Sequence, residues 1–167
     1  YMQGRNDSLT ERAHMLLIAE MLSAPFYTSL RTEKQLGYVV AAFANNHLRV
    51  PGVAFLVQSS SVNEQALRSE FDQFLSGYAD QVALLNQEDL DRYRSSVLSN
   101  LKEKPKNLVE LNGRFMESVN LGYNNFDFRQ QLAEEISTVS LSSLSQAYKA
   151  VVISDARSLS VETADPD

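Results

Sequence analysis

The residues best suited to catalysis or metal binding are His14, His47, Arg31 and Tyr38. Zinc hydrolases that use HExxH or HxxEH need two histidines one helical turn apart, together with a glutamate. His14 is followed by MLLIAE and His47 stands alone in a polar segment, so neither arrangement is present. The sequence therefore predicts no metal site in this chain, and both histidines are interpreted as structural or solvent-exposed.

Arg31 and Tyr38 bracket the stretch RTEKQLGY. An arginine stays charged and donates in a rigid fork, while a tyrosine hydroxyl can hold a carbonyl oxygen or the oxyanion that develops from it. Gly37 between them would let a second backbone segment approach closely. The two side chains could thus converge on one point. The residues alone leave a second interpretation open, in which Arg31 is a surface residue near Glu33 and Tyr38 is a core residue.

Composition excludes several other kinds of site. The chain has no cysteine, so disulfides and thiolate metal sites are ruled out. GxSxG is absent, and the six glycines are scattered singly, so no glycine-rich phosphate loop is present. A net charge of -6 does not favour a nucleic-acid surface. No apolar run approaches the roughly 18 residues that a membrane-spanning helix needs.

The predicted structure changes from helix to strand between Arg31 and Tyr38. A capping box of Ser8 and Glu11 opens a mostly apolar, buried helix. Pro25 is expected to begin a second short helix, PFYTSLRTEK, because proline costs no hydrogen bond at a first helical position. LGYVVAAFA and VAFLVQSSS are predicted strands, joined by a polar loop that runs from residue 45 to residue 52.

Helical spacing of apolar residues dominates the rest of the chain. Asp127 and Ser140 are expected to cap two of the later helices, and SLSVE is a predicted closing strand. YMQGRND is interpreted as the tail of a truncated first strand, from a chain cut out of a longer one. The fold class is therefore α+β, with an antiparallel or mixed sheet covered by helices on one face, and residues 1–167 are expected to form one domain. Further helices are predicted around residues 67–78, 90–101, 108–119, 128–136 and 141–148.

The segment PFYTSLRTEKQLGYVV closely resembles a segment in the C-terminal half of insulysin- and pitrilysin-type zinc metallopeptidases, which reads F-x-x-L-R-x-x-x-Q-L-G-Y-x-V. The stretch LKEKPKNLVELNGRF, followed by NNFDF, is similar to a second family segment, KPK-L and then N-F-D. The resemblance covers roughly residues 8 to 162. Met116 stands where relatives often carry tryptophan, and Phe128 where arginine is common, which bears on packing rather than on membership.

The resemblance implies the last of four related α+β domains, the repeated domain also found among relatives of mitochondrial processing peptidase. In the family, zinc sits on the first domain, held by HxxEH and a downstream glutamate. This chain would bind no cofactor itself, and its partners would be the N-terminal half of the same polypeptide and peptide substrates, with no nucleic acid or membrane. Arg31 and Tyr38 would reach towards that zinc site as accessory catalytic residues that stabilise the substrate carbonyl or oxyanion.

Two functions follow from the resemblance. The first is the C-terminal domain of a zinc-dependent metalloendopeptidase, inactive alone, which encloses and positions the peptide and completes the active site. The alternative is a non-catalytic scaffold or binding subunit of the same fold. An intact R-x-x-x-Q-L-G-Y favours the enzyme, because a scaffold has no need of an aimed cation and phenol. The sequence leaves the compartment and the preferred peptide open.

Overall fold

The computed structural model describes residues 1–123, 126–154 and 156–163, which form a small antiparallel sheet with helices packed on it. The elements are the strands Met2–Gln3 (β1), Val39–His47 (β2), Val50–Gln58 (β3) and Arg157–Ser158 (β4); the α-helices Leu9–Tyr27 (α1), Glu64–Ala83 (α2), Gln87–Lys102 (α3), Leu108–Asn120 (α4), Phe128–Thr138 (α5) and Leu141–Tyr148 (α6); and the π-helical turns Thr28–Glu33 and Lys149–Ser154.

The sheet has the strand order β2-β3-β1-β4, and every neighbouring pair is antiparallel. β1 is short but lies inside the sheet, with Met2 opposite Val53 on one side and Ser158 on the other. β2 occupies an outer position. The predicted α+β class with an antiparallel sheet and helices covering it is confirmed.

The predicted polar loop at residues 45–52 is wrong. Asn45 and Asn46 belong to β2 and pair with Gly52 and Pro51, and only Leu48 and Arg49 connect the two strands. Leu48 takes a φ of 53°, the left-handed conformation that tight hairpin turns require. The polar side chains of Asn45 and Asn46 do not end the strand, since strand pairing uses backbone groups. This end of β2 is exposed to solvent, where polar side chains are tolerated.

Pro25 was predicted to begin a second helix, but it lies within α1. A proline inside a helix leaves the carbonyl four residues earlier without its usual donor. That carbonyl belongs to Met21, and it accepts a hydrogen bond of 3.3 Å from the Tyr78 hydroxyl of α2. The tertiary contact therefore supplies the hydrogen bond that the proline removes, and the helix continues into the π-helical turn.

The predicted helix starts are largely confirmed, with differences in capping. The Ser8 side chain accepts from the Glu11 N–H, but the Glu11 carboxylate accepts from the Arg5 N–H at 2.7 Å, so the box is only half formed. Ser140 caps α6 as expected. α5 begins after Asp127, whose side chain makes no capping bond.

The closing strand is shorter than SLSVE and begins earlier, covering only Arg157 and Ser158. Its pairing with the start of the chain continues for one more step, because the Leu159 N–H donates to the Tyr1 carbonyl at 2.9 Å.

α1 is the centre of the core. It packs against β2 and β3 on one side and against α3, α5 and α6 on the other, which accounts for its lack of a polar face. A second, smaller cluster of buried residues lies at the far end of α1, around Phe26 and Leu30. This second cluster supports the segment that carries Arg31 and Tyr38.

Candidate functional site

Arg31 lies on the π-helical turn that continues α1. The Lys34 N–H donates to the Ser29 carbonyl at 3.0 Å, and the Leu36 N–H donates to the Leu30 carbonyl at 2.9 Å. Gln35 has a φ of 54°, a left-handed conformation that side chains usually avoid. The chain thus reverses direction within a hydrogen-bonded turn, and Arg31 sits on the last fixed turn before the reversal.

Tyr38 lies at the entry to β2, where Gly37 brings two backbone segments together. The Tyr38 N–H donates to the Gln58 carbonyl at 3.0 Å. A Cβ atom on Gly37 would lie 2.5 Å from that same oxygen and 2.9 Å from a Val57 methyl group. The predicted close backbone approach at Gly37 is confirmed, and no other residue would fit there without a shift of the strand.

An aromatic cluster forms the floor under this turn. Phe26 and Leu30 are fully buried, and the Phe26 ring contacts three other rings with centroid distances of 5.2 to 5.3 Å. Those rings come from β3 and α2: Phe55, Phe71 and Phe74. Aromatic pairs at such distances stabilise beyond their buried area, so the backbone of the turn rests on a well-packed base.

The side chains of Arg31 and Tyr38 themselves are open to solvent. Arg31 is half-buried, and the Tyr38 side chain is 59% exposed. Within residues 1–123, 126–154 and 156–163, neither side chain forms a hydrogen bond or an ion pair, and Glu33 does not pair with Arg31. The interpretation of Tyr38 as a core residue is therefore wrong. Convergence of the two side chains on one point stays a prediction.

Lys34 supplies a support that sequence reasoning missed. Its ammonium group forms an ion pair with the Glu70 carboxylate of α2, which ties the turn to the helix beside it. Glu70 lies far from Lys34 in the sequence, and no local pattern pointed to the contact.

The two histidines take the places expected of them. His14 is half-buried on α1, and burial lowers its pKa although Glu11 and Glu135 oppose that shift. His47 is exposed at the end of β2. In the part of the chain that the structure describes, no group of three or more possible metal ligands is found. A search of the same residues finds no helix that could span a membrane.

The second motif lies around α4 and the start of α5. The rings of Phe115 and Phe126 contact each other at 5.2 Å. Phe128, one of the two departures from the family pattern, stacks on Tyr123 at 4.5 Å and lies 5.1 Å from the buried Arg12 guanidinium. Met116, the other departure, is exposed on α4. Asn124 and Asn125 of the motif lie outside the described residues.

Comparisons with known proteins agree with this arrangement. Residues 17–116 match the family model described as "PQQ synthase PqqF-like, C-terminal lobe domain 4". A "Nardilysin-like" protein of Arabidopsis thaliana is 33% identical over 143 residues, which is 85% of this chain and 14% of that protein. The chain thus spans about one seventh of the length of that curated relative.

Two solved structures share the fold. The crystal structure of pitrilysin superposes with a TM-score of 0.82 at 24% identity, covering 91% of this chain and 16% of that chain. A putative zinc protease from Bordetella pertussis Tohama I superposes with a TM-score of 0.70 at 14% identity, covering 91% of this chain and 85% of that chain. The resemblance to insulysin- and pitrilysin-type metallopeptidases is confirmed: this chain belongs to the PqqF-like C-terminal lobe domain 4 family.

Proposed function

We propose that this chain is the non-zinc C-terminal domain of a zinc-dependent metalloendopeptidase and that it completes the active site with Arg31 and Tyr38. One observation supports this above the others. A half-buried cation and an exposed phenol are both unpaired among the described residues, yet they lie on a turn whose backbone is fixed by hydrogen bonds and aromatic packing. A protein that needed these groups only for folding would pair or bury them.

The chemistry assigns each side chain a role. Zinc, held by the N-terminal half of the parent polypeptide, would supply an activated water for attack on the peptide carbonyl. Negative charge then develops on the carbonyl oxygen. The guanidinium of Arg31 stabilises that charge from a fixed position, and the Tyr38 hydroxyl donates a hydrogen bond to the same oxygen or to the neighbouring backbone. The partners are therefore the N-terminal half and an extended peptide.

The turn is well suited to hold these groups in place before substrate arrives. Donors whose backbone positions are already fixed require less reorganisation as the charge forms. The close packing of Gly37 on Gln58 and the buried Leu30 hold the two ends of the turn. The side chains keep rotational freedom, but their starting points on the backbone do not move independently.

The test uses the full-length protein. We expect Arg31→Ala and Tyr38→Phe each to lower kcat/KM for peptide cleavage by about 10²–10³, the typical effect of removing one oxyanion donor. The zinc content should stay unchanged. Arg68→Ala, which alters an exposed residue of α2, serves as the control and should keep near-normal turnover. Near-normal turnover in the Arg31 and Tyr38 variants would instead favour the scaffold function.

A second measurement tests the composite nature of the site. The isolated chain should bind no stoichiometric zinc and cleave no peptide, because the zinc ligands are proposed to lie in the N-terminal half. Mixing it with a separately expressed N-terminal half should raise peptide cleavage above that of either part. Cleavage by the isolated chain, measured with zinc present and abolished by a chelator, would contradict the proposal.

A further inference from the structure

β2 presents a free edge beside the candidate site. It is the outer strand of the sheet, and His47 and Val50 pair across a two-residue turn. Hydrogen-bonded pairs alternate along an antiparallel ladder, so Ala42, Ala44 and Asn46 direct their N–H and C=O groups away from β3. Ala42 is only 3% exposed, whereas Ala44 and Asn46 are exposed. Among the residues that the structure describes, none outside β3 forms a backbone hydrogen bond with residues 39–46. The exposed part of this edge, from Ala44 onward, can accept a further strand.

A cavity of about 330 Å³ lies along this edge. It touches Ala42, Phe43 and Ala44, which are consecutive. Because α1 packs on β2 and also lines the cavity, the cavity lies where this part of the strand meets that helix. The remaining walls come from α1, α3 and α5: Leu16, Ala19, Glu20, Ser23, Val97, Asn100, Leu101 and Arg129.

Arg129 and Glu20, the two charged residues that line the cavity, differ in whether neighbouring groups compensate their charge. The Arg129 guanidinium donates to the Leu101 carbonyl at 2.6 Å and 3.1 Å and to the Asn100 carbonyl at 3.4 Å. These carbonyls end α3, where the helix dipole is negative, so the cation is already compensated. Glu20 forms no hydrogen bond or ion pair with any described residue. The unbalanced charge in the cavity is therefore negative.

We propose that an extended peptide adds to β2 as a further strand and places a lysine or arginine side chain in this cavity, where Glu20 accepts its hydrogen bond. The apolar walls suit the methylene stem of such a side chain. The inference rests on the proposed function and extends it to substrate selection. β2 begins directly after Tyr38, and at about 3.3 Å per residue the cavity lies roughly 13–20 Å along the strand. The basic residue is thus several positions away from the bond held by Tyr38.

The experiment uses the full-length protein and a series of peptides that differ at one position at a time, with lysine, norleucine or glutamate. At one position, remote from the cleaved bond, we expect lysine to be preferred over norleucine by about tenfold, the effect of one charge-assisted hydrogen bond. Glu20→Gln should abolish this preference, and Glu20→Lys should shift it to glutamate. Glu88→Gln, an exposed carboxylate at the other end of α3, is the control and should keep the lysine preference.

Equilibrium binding of fluorescent peptides, measured after zinc removal, separates this inference from the catalytic role. If Glu20→Gln binds all peptides as the wild type does, the inference is overturned even where Arg31→Ala lowers turnover. If Arg31→Ala leaves turnover normal while Glu20→Gln loses the lysine preference, only the catalytic role fails.

Peptide backbone methylation tests the added strand without altering the protein. N-methyl groups on every second amide should weaken binding at least tenfold in one register and have little effect in the other, since only alternate amides face β2. Equal tolerance of both registers would overturn strand addition.

Discussion

The turn that carries Arg31 and Tyr38 and the helix α4 are opposites in what they expose. At the turn, the half-buried Arg31 and the exposed Tyr38 carry the polar groups, and the backbone packs on the fully buried Phe26 and Leu30. α4 contains no buried residue, and it exposes apolar side chains, among them Leu108 at 80% and Val109 at 81%. Both segments belong to the motifs that the family shares.

The two segments differ in the kind of group that is left without a contact. At the turn, the core is well packed and the polar side chains above it have no partner among the described residues, which is the arrangement expected of a site that acts on a ligand. α4 has an amphipathic sequence whose apolar side is only partly covered by the rest of the described chain. Substitutions should therefore affect folding strongly at the turn and weakly at α4.

The largest effect is expected from Phe26→Ala. Removal of a buried phenylalanine costs about 3–5 kcal/mol, because the lost transfer energy adds to the cavity left behind. Urea unfolding, followed by circular dichroism, should show this loss in the free energy of unfolding. Phe115→Ala on α4 is the matched control, and a loss as large as that of Phe26→Ala would contradict the contrast between the two regions.

Replacing a glycine by alanine should lower the free energy of unfolding at the turn and raise it in α4. Gly37→Ala forces a Cβ to within 2.5 Å of the Gln58 oxygen, and such overpacking costs about 1–3 kcal/mol. Gly113 lies in α4 with open space around it, so Gly113→Ala should stabilise by about 0.4–1 kcal/mol through helix propensity and reduced freedom of the unfolded chain. Thermal and urea unfolding measure both. If Gly37→Ala and Gly113→Ala both lowered the free energy of unfolding, the expected difference between the turn and α4 would be contradicted.

Variants of the ion pair between Lys34 and Glu70 test how much a contact outside the core contributes to the stability of the turn. Both groups are partly exposed, so Glu70→Gln should lower the free energy of unfolding by no more than about 1 kcal/mol. The exchanged double variant, Lys34→Glu with Glu70→Lys, should recover most of this loss. A double-mutant cycle in urea measures the coupling, and a coupling of zero would show that the pair does not tie the turn to α2.

The smallest effect is expected on the exposed face of α4. Val109→Gln and Leu108→Gln replace side chains that are already in water, so each should change the free energy of unfolding by no more than about 0.5 kcal/mol. Unfolding of the 167-residue chain provides the measurement. A loss of more than about 1 kcal/mol would mean that this face is covered in solution.

Much of the site could be predicted from its local sequence. Gly37 was expected to allow a close backbone approach, and the structure shows the approach to Gln58. Arg31 and Tyr38 were selected as a fixed charge and a hydroxyl that could converge on one point. Their exposure was left open, since a tyrosine at the start of a strand is as suited to the core as to the surface. The aromatic floor and Glu70 come from β3 and α2, which no pattern near the turn identifies.

The errors in the predicted fold have two origins. Pro25 was expected to begin a second helix, but the Tyr78 hydroxyl from α2, a distant segment, satisfies the carbonyl that the proline leaves free. Asn45 and Asn46 were expected to form a loop, but they pair with β3 across a two-residue turn. In that second case the polar side chains were misleading, because strand pairing uses the backbone.

The amino-acid sequence by itself determined the fold class, the family, the order of helices and strands and the turn at Gly37, because caps, periodicity and glycine act through neighbours in the chain. Only the tertiary structure decided that β2 is an outer strand, that Tyr38 is exposed and that Glu20 faces a cavity with no partner among the described residues. Those properties depend on which distant segments are packed together, and burial and pairing energies are set by that packing rather than by local sequence.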